Sequence, residues 1–516
     1  MFDADHVRVL ADVLGVSIDD SDDVTAAYDV PGDYSALPAV DAEADRTPTD
    51  VTVDPGLAAD EFNAFVSTFS LADSDAAAGG HALSGLDVAV KDNVAVAGVP
   101  LTAGADAFAD ATPAQHAPVV SRLLDAGATL TGKTNMDELA YGPTGETGGF
   151  GPTRNPRQDA HVAGGSSAGS GAAVAAGHVD AALGTDTGGS VRIPAAFCGV
   201  VGYKPSFGAV PRAGVVPLAP SLDQVGVLAT SVTDVARVGD VIAGPHSNDP
   251  VTLGRSTGGL ERAVREPPDI EDCSFGLAEE FLGPHVDPGV RGSVERAVDA
   301  LTDAGATVEH VSVPRFEETA AAWDAIANVE FAVTLFAGHA PLGGVGVDDA
   351  WHAAVAAVPA ADREFCDRVV ENALDGAALL AEGGGSVYQR ALAECERFAD
   401  GFRTALDGHD ALLAPTMPVT APAVGEWPLS ASEREVDRTE RTAVDSEQSG
   451  REATDATDRP PLSVNVRQAN LLGAPAVSVP CGYERGLPVG LQLLGGVGED
   501  ASLLGATRAV DAELPM

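Results

Sequence analysis

Two glycine-rich serine clusters and one lysine supply the residue types from which an acyl-transfer site can be built. The first cluster is Gly164-Gly165-Ser166-Ser167-Ala168-Gly169-Ser170-Gly171, and the second is Gly184-Thr185-Asp186-Thr187-Gly188-Gly189-Ser190. Residues without a Cβ reach backbone conformations that strain others, so N–H groups can crowd around a small polar site. A serine among such groups is a candidate nucleophile with an anion-binding nest around it. The chain has three lysines, Lys91, Lys133 and Lys204, all in the stretch that carries the clusters. An ammonium has a tunable pKa while a guanidinium stays charged, so a lysine kept in an otherwise arginine-using chain is a candidate base. Lys91 closes the apolar run Val88-Ala89-Val90, where desolvation lowers an amine's pKa.

With Ser190 as nucleophile, the N–H groups of Thr187, Gly188 and Gly189 form a candidate oxyanion hole. No histidine is near in sequence, so neutral Lys91 is the available base, with Ser166 passing a proton between it and Ser190. Two other patterns are decoys. Gly127 to Thr134 matches the phosphate-binding P-loop letter for letter, but a helix precedes Gly127 and the strand falls inside the supposed loop. Gly165 to Gly169 fits the G-x-S-x-G nucleophile elbow, yet residues 157–164 form no core strand ahead of it.

Helical and strand periodicities place these residues in an α/β chain. An amphipathic helix over 117–126, closed by Gly127, leads into a strand at 128–131. Residues 86–100 read as two β-rich runs broken by Lys91-Asp92-Asn93. The first serine cluster opens a helix at 172–177, and a strand at 179–183 runs into the second. Helices follow at 230–243, 290–304, 387–406 and 500–510, and strands at 275–278, 307–313 and 411–414. Residues 476–480 and 489–494 form a hairpin-like pair, and 244–265 reads as a loop. At the N-terminus, 4–16 reads as a helix, 31–56 as an extended connection, and 63–71 as a short helix or lead-in. The expected organisation is an N-terminal helical arm (1–75) and one large domain (76–516). Within that domain lie core motifs at 81–245, a variable pocket wall at 316–410 and a mobile acidic insertion at 425–460.

The chain of 516 residues carries 30 Lys and Arg against 77 Asp and Glu, a formal charge of −47, spread along its length. Such a balance is expected of a protein kept soluble in concentrated salt. It repels phosphate backbones and anionic lipids, which argues against direct nucleic-acid or membrane binding. Five scattered cysteines, Cys198, Cys273, Cys366, Cys395 and Cys481, have no metal-ligand spacing and suit a reducing compartment. Acidic residues stand where a signal peptide has basic ones, and no apolar run approaches 18 residues; a cytoplasmic location is expected.

The blocks around these residues resemble the amidase signature family. Lys91 lies within AVKDN, Ser166 within GGSSAGSGAAVAAG and Ser190 within GTDTGGSVRIPAAFCGVVGYKP; AGATLTGKTNMDE and GAPAVSVPCGYERGLPVGLQLLG are also family-like. The resemblance implies an α/β/α fold with a large mixed sheet and a Ser-cisSer-Lys triad of Ser190, Ser166 and Lys91. The cis peptide is then Gly165–Ser166. By the same resemblance Ser167, Ser170, Asp186 and Arg192 support the triad by hydrogen bonds, and no metal or organic cofactor is needed. Ala168 departs from the pattern, since many members have Gly or Ser there. The implied reaction is hydrolysis of a carboxylic amide to carboxylate and ammonia through an acyl-enzyme. The first expectation is a free-standing amidase acting on small-molecule amides, with a homodimer as the assembly to consider. The alternative is the glutaminase subunit of a tRNA-dependent amidotransferase, which GVVGYKPSFG and SLDQVG resemble. The glutamine-holding stretch of such a glutaminase is not recognisable between 316 and 410.

Overall fold

Val88, Ala89, Val90 and Lys91 are all fully buried, the condition of a central strand covered on both faces. The computed structural model, which describes residues 52–53, 60–73, 80–255, 257–336, 346–347, 349–357, 365–383, 385–427 and 461–514, places them in a sheet of twelve strands. The strands are β1 (Thr52–Val53), β2 (Phe65–Leu71), β3 (Asp87–Lys91), β4 (Thr129–Thr134), β7 (Ala181–Asp186), β8 (Val201–Lys204), β9 (Gln224–Ala229), β10 (Ser274–Ala278), β11 (Thr307–Val311), β12 (Ala411–Pro415), β13 (Ala476–Glu484) and β14 (Leu487–Leu494). Their order is β1-β2-β4-β3-β7-β9-β8-β13-β14-β12-β10-β11. The small pair β5 (Arg154–Asn155) and β6 (Gln158–Val162) stands apart. Strands β4, β3 and β7 are parallel, as are β12, β10 and β11, while β9, β8, β13 and β14 run antiparallel to their neighbours. The sheet is therefore mixed, with helices on its faces, and the chain has the α/β fold expected of it.

The helices that matter here are α1 (Pro118–Asp125), α2 (Ala168–Ala175), α3 (Arg192–Cys198) and α4 (Val232–Ile242) on the N-terminal half. The C-terminal half adds α5 (Leu260–Arg265), α6 (Pro288–Asp303), α7 (Glu318–Phe336), α8 (Asp349–Ala357), α9 (Asp367–Gly383), α10 (Ser386–Leu406), α11 (Arg467–Leu471) and α12 (Asp500–Glu513). Alternation along β3 divides its side chains. Val88 and Val90 join the core that includes Val119 and Leu123 of α1 and Val235 of α4, while Ala89 packs with Ala172 and Ala173 of α2. Lys91 therefore leaves the sheet on the face that α2 covers.

Several sequence expectations need correction. Residues 65–71 form a strand, β2, rather than a short helix: with β4 against its inner edge, the alternating Phe65, Ser67, Phe69 and Leu71 are all buried. Only the first of the two runs in 86–100 is a strand; Val94 makes an isolated bridge to Val215. The loop at 244–265 ends in α5, and the variable segment holds α7, α8 and α9 besides the expected α10. The expected helix at 4–16, the stretch at 31–56 except Thr52–Val53, and the insertion beyond residue 427 lie outside the described residues. Among the described residues no helix is long and apolar enough to cross a membrane.

Candidate active site

The parallel strands β3 and β7 end on the same side of the sheet, at Lys91 and Asp186, and the first serine cluster meets them there. Carboxyl ends of parallel strands are where open α/β sheets build their sites. Lys91 Nζ lies 2.8 Å from Ser166 Oγ and 2.8 Å from Thr185 Oγ1, and Asn93 Nδ2 donates to the same threonine hydroxyl at 3.0 Å. Lys91 is fully buried and forms no ion pair among the described residues. Burial lowers its pKa to about 7, against the opposing pull of Asp137, Asp186 and Asp223. Near neutral pH this amine is substantially unprotonated and can accept a proton from Ser166.

The Gly165–Ser166 peptide is cis. Gly165 leaves no room for a side chain, because a Cβ there would come within 1.9 Å of Asp137 Oδ2. Asp137 is fully buried, accepts from Gly145 N and from Thr147 N and Oγ1, and its own N–H donates to Ser166 O at 3.2 Å. It fixes the turn that presents Ser166. Ser167 and Ser170 tie α2 to β7: Ser167 Oγ donates to Thr185 O and accepts from Thr185 N, both at 3.2 Å, and Ser170 Oγ donates to Leu183 O at 2.9 Å. Both serines thus hold the first cluster against the strand that carries Thr185, the hydroxyl beside Lys91.

Ser190 closes the turn after β7, and Ser167 N donates to Ser190 O at 3.3 Å, so the two serine clusters adjoin. The turn hangs on Asp186, whose carboxylate accepts from Gly189 N at 2.9 Å and Val191 N at 3.1 Å. Burial alone would raise the Asp186 pKa, but the Arg192 guanidinium, bidentate at 2.8 and 3.0 Å, holds it at about 2. Arg192 also donates to Asn470 Oδ1 and Gln492 Oε1, which dock α11 and β14 on the turn. One expected role is corrected here. The N–H of Gly189 is already committed to Asp186, so it is not available to an oxyanion; those of Thr187, Gly188 and Ser190 have no protein acceptor among the described residues. Gly189 serves instead through its φ of +117° and the space it leaves for Val466, which a Cβ would meet at 2.2 Å.

Ser190, Thr187 and Gly188 line a cleft whose other wall is Tyr141, Trp323, Asp324, Arg368, Asn372, Ser463 and Arg467. Trp323 Nε1 donates to Thr187 O at 2.9 Å, and its ring stacks under the Arg467 guanidinium, which pairs with Asp324 at 2.9 Å. Thr185, Asn93, Asp137, Asn470, Gln492 and Trp323 were not singled out from sequence. Thr185, Asn93, Asp137 and Gln492 stand inside the quoted motifs; Trp323 is one apolar residue in an Ala-rich helix and carries no local signal.

The amidase family model matches residues 58–504. This chain belongs to the amidase family. It is 40% identical over 427 residues to a glutamyl-tRNA(Gln) amidotransferase subunit of Methanosarcina barkeri, covering 82% of this chain and 83% of that one. It is 39% identical to the subunit of the same name from Natronomonas pharaonis, over 87% of this chain and 99% of that one. A crystal structure of an amidase superposes with a TM-score of 0.68 at 32% identity, over 88% of this chain and 93% of the other. These relatives overturn the expectation of a small-molecule enzyme with no nucleic-acid partner. Their name describes one component of a larger enzyme and puts an aminoacyl-tRNA in its reaction. The charge argument failed because it bears only on direct contact, and one component need not touch the RNA that its assembly acts on.

Proposed function

We propose that the chain is the amide-hydrolysing subunit of a tRNA-dependent amidotransferase, releasing ammonia from glutamine for transfer to an aminoacyl-tRNA held by partner subunits. Relatives 39–40% identical over more than four-fifths of the chain carry this reading. The cleft suits it: guanidinium groups of Arg368 and Arg467 and the carboxylate of Asp324 lie beside Ser190, the charge types that hold a free amino acid by its carboxylate and ammonium.

In this reading Ser190 Oγ attacks the side-chain amide carbon while its proton passes to Ser166 and the Ser166 proton to neutral Lys91. The oxyanion is met by N–H groups of Thr187, Gly188 and Ser190. Lys91 returns the proton through Ser166 to the leaving nitrogen, ammonia departs, and water hydrolyses the acyl-enzyme by the same relay. Ammonia release in molar KCl tests the assignment, with glutamine, propionamide and benzamide as substrates and Ser190→Ala as control. Glutamine turnover that rises when the co-purified partners and charged tRNA are added, and that Ser190→Ala abolishes, is the expected result. Faster turnover of propionamide or benzamide by the isolated chain, indifferent to partners and tRNA, overturns it.

A further inference from the structure

Next to the cleft, sharing Ala140, Thr187 and Leu218 with it, lies a second cavity of about 10 Å³, room for one water molecule. Asn93, Thr185, Thr187, Arg212, Asp223 and Gln224 contribute to its walls. Asn93 is 1% exposed, and its Oδ1 has no hydrogen-bond partner among the described residues. A buried amide oxygen is costly to leave unpaired. Thr185 Oγ1 accepts from Asn93 Nδ2 and stands 2.8 Å from Lys91 Nζ, so its own proton is left to donate elsewhere. Asp223 borders the same space. Its Oδ1 accepts from Thr187 Oγ1 at 2.6 Å, and its Oδ2 accepts from Leu218 N at 2.9 Å and Ala219 N at 3.1 Å.

We propose that a water held between Asn93 Oδ1, Thr185 Oγ1 and Asp223 completes this site, and that Asp223 is the positioning residue joining the base Lys91 to the oxyanion turn. The inference rests on the reading of Lys91 as the base. Thr185, donating to the water, presents only its lone pairs to Lys91. The neutral amine then donates an N–H hydrogen bond to Thr185 Oγ1 and turns its lone pair toward Ser166. At the other end, Asp223 anchors Thr187, the first residue of the turn that meets the oxyanion. Asp223 also acts by charge. Burial raises its pKa to about 6, opposed by Thr187, Ala219 and the Arg212 cation, so it is mostly ionised at neutral pH. Lys91 is faced by the carboxylates of Asp137, Asp186 and Asp223. Asp186 is paired with Arg192, Arg212 is paired with Asp249 at 3.2 Å, and on the next strand Lys133 is paired with Asp92. Loss of the Asp223 charge therefore makes Lys91 easier to deprotonate.

Phenylmethanesulfonyl fluoride gives a test that needs no natural substrate. The Ser190 Oγ–S bond forms, fluoride leaves, and the serine proton passes through Ser166 to Lys91. In full-length protein the labelling rate, followed by mass spectrometry, is expected to rise with pH through one inflection. Asp223→Asn is expected to move that inflection down by about 0.5 pH unit or more, and Asp223→Glu to restore it. A uniformly slower rate with an unmoved inflection assigns Asp223 a structural role only and overturns the inference. Labelling of Ser190→Ala at the wild-type rate strikes the nucleophile assignment itself, a distinct failure that takes the inference with it. A high-resolution crystal structure of the wild type decides the case in which Asp223→Asn does not fold: a water bonded to Asn93 Oδ1 is expected, and a dry cavity overturns the proposal.

Discussion

Lys91 and Lys133 stand on neighbouring parallel strands, both fully buried, in surroundings that differ in one decisive respect. Lys133 Nζ lies 2.9 Å from Asp92 Oδ1, whereas Lys91 meets the hydroxyls of Ser166 and Thr185. Register explains the difference. Val90 is opposite Lys133 and Lys91 is opposite Thr134, so the two lysines leave the sheet on opposite faces, and Asp92, next after Lys91, shares the face of Lys133. Burial lowers the pKa of both amines, but a carboxylate in contact favours the charged form and a hydroxyl does not. Lys204 supplies a control. Burial and the Arg192 cation bring it also to about 7, yet its partners are Pro205 O and Gln224 rather than a serine. A lowered pKa makes a lysine able to act as a base; its neighbours decide whether it has a proton to take.

The comparison breaks first at Lys91. Lys91→Met is expected to cut kcat by about 100- to 10,000-fold while the folding midpoint stays level or rises, because an unpaired buried amine resists charging. Thermal unfolding beside steady-state ammonia release checks both halves. The wild-type rate should rise with pH through about 7, since only the neutral amine accepts a proton. Stability carries the same signature. Between about 7 and 10.5 the unfolded chain binds a proton that folded Lys91 releases, so this group's contribution to stability rises with pH over that window. In Lys91→Met the rise over that window should shrink by this group's share, while the share of Lys204, also brought to about 7, remains.

Lys133→Met should give the converse. Removing the cation leaves the Asp92 carboxylate buried without its ion pair, and breaking such a pair costs about 3–5 kcal/mol. Denaturant unfolding should register that loss, while the protein that remains folded keeps its ammonia-release rate within several-fold of wild type. Loss of activity from Lys133→Met without loss of stability would erase the distinction between the two lysines.

Lys91, Ser166 and Ser190 are legible as candidates because each sits inside a dense local pattern. Lys91 ends an apolar run, and both serines lie among glycines whose spacing no helix or strand requires. Their supports were less visible for a physical reason. Asp186 reaches Arg192 six residues on, but Asn470 and Gln492 come from an element pair almost three hundred residues away, and only the folded sheet brings them to Arg192. The Gly188-Gly189 pair points to an oxyanion role for the Gly189 N–H because no side chain stands in the way; Asp186, three residues earlier, takes that N–H. In the fold, β2 is hard to read because Ser67 interrupts the buried face of Phe65, Phe69 and Leu71, while Val66 is buried on the other face. The helix α7 was missed because it is buried nearly all round and lacks the one-sided pattern that marks a surface helix.

Trp323, on that unrecognised helix, gives the smallest effect and separates the cleft wall from the relay. Its indole N–H links α7 to the Thr187–Ser190 turn, through Thr187 O at 2.9 Å. Trp323→Phe keeps a ring beneath Arg467 and removes only that donor. A net hydrogen bond of about 0.5–1.5 kcal/mol corresponds to a fall in kcat of about 2- to 12-fold if the bond serves the transition state. The pH at which the rate reaches half its plateau should not move, because Trp323 touches neither Lys91 nor its partners. If it moved as far as in Asp223→Asn, the cleft wall and the base would be one coupled unit, and the contrast between Lys91 and Lys133 would have to be drawn from the whole turn rather than from two strands.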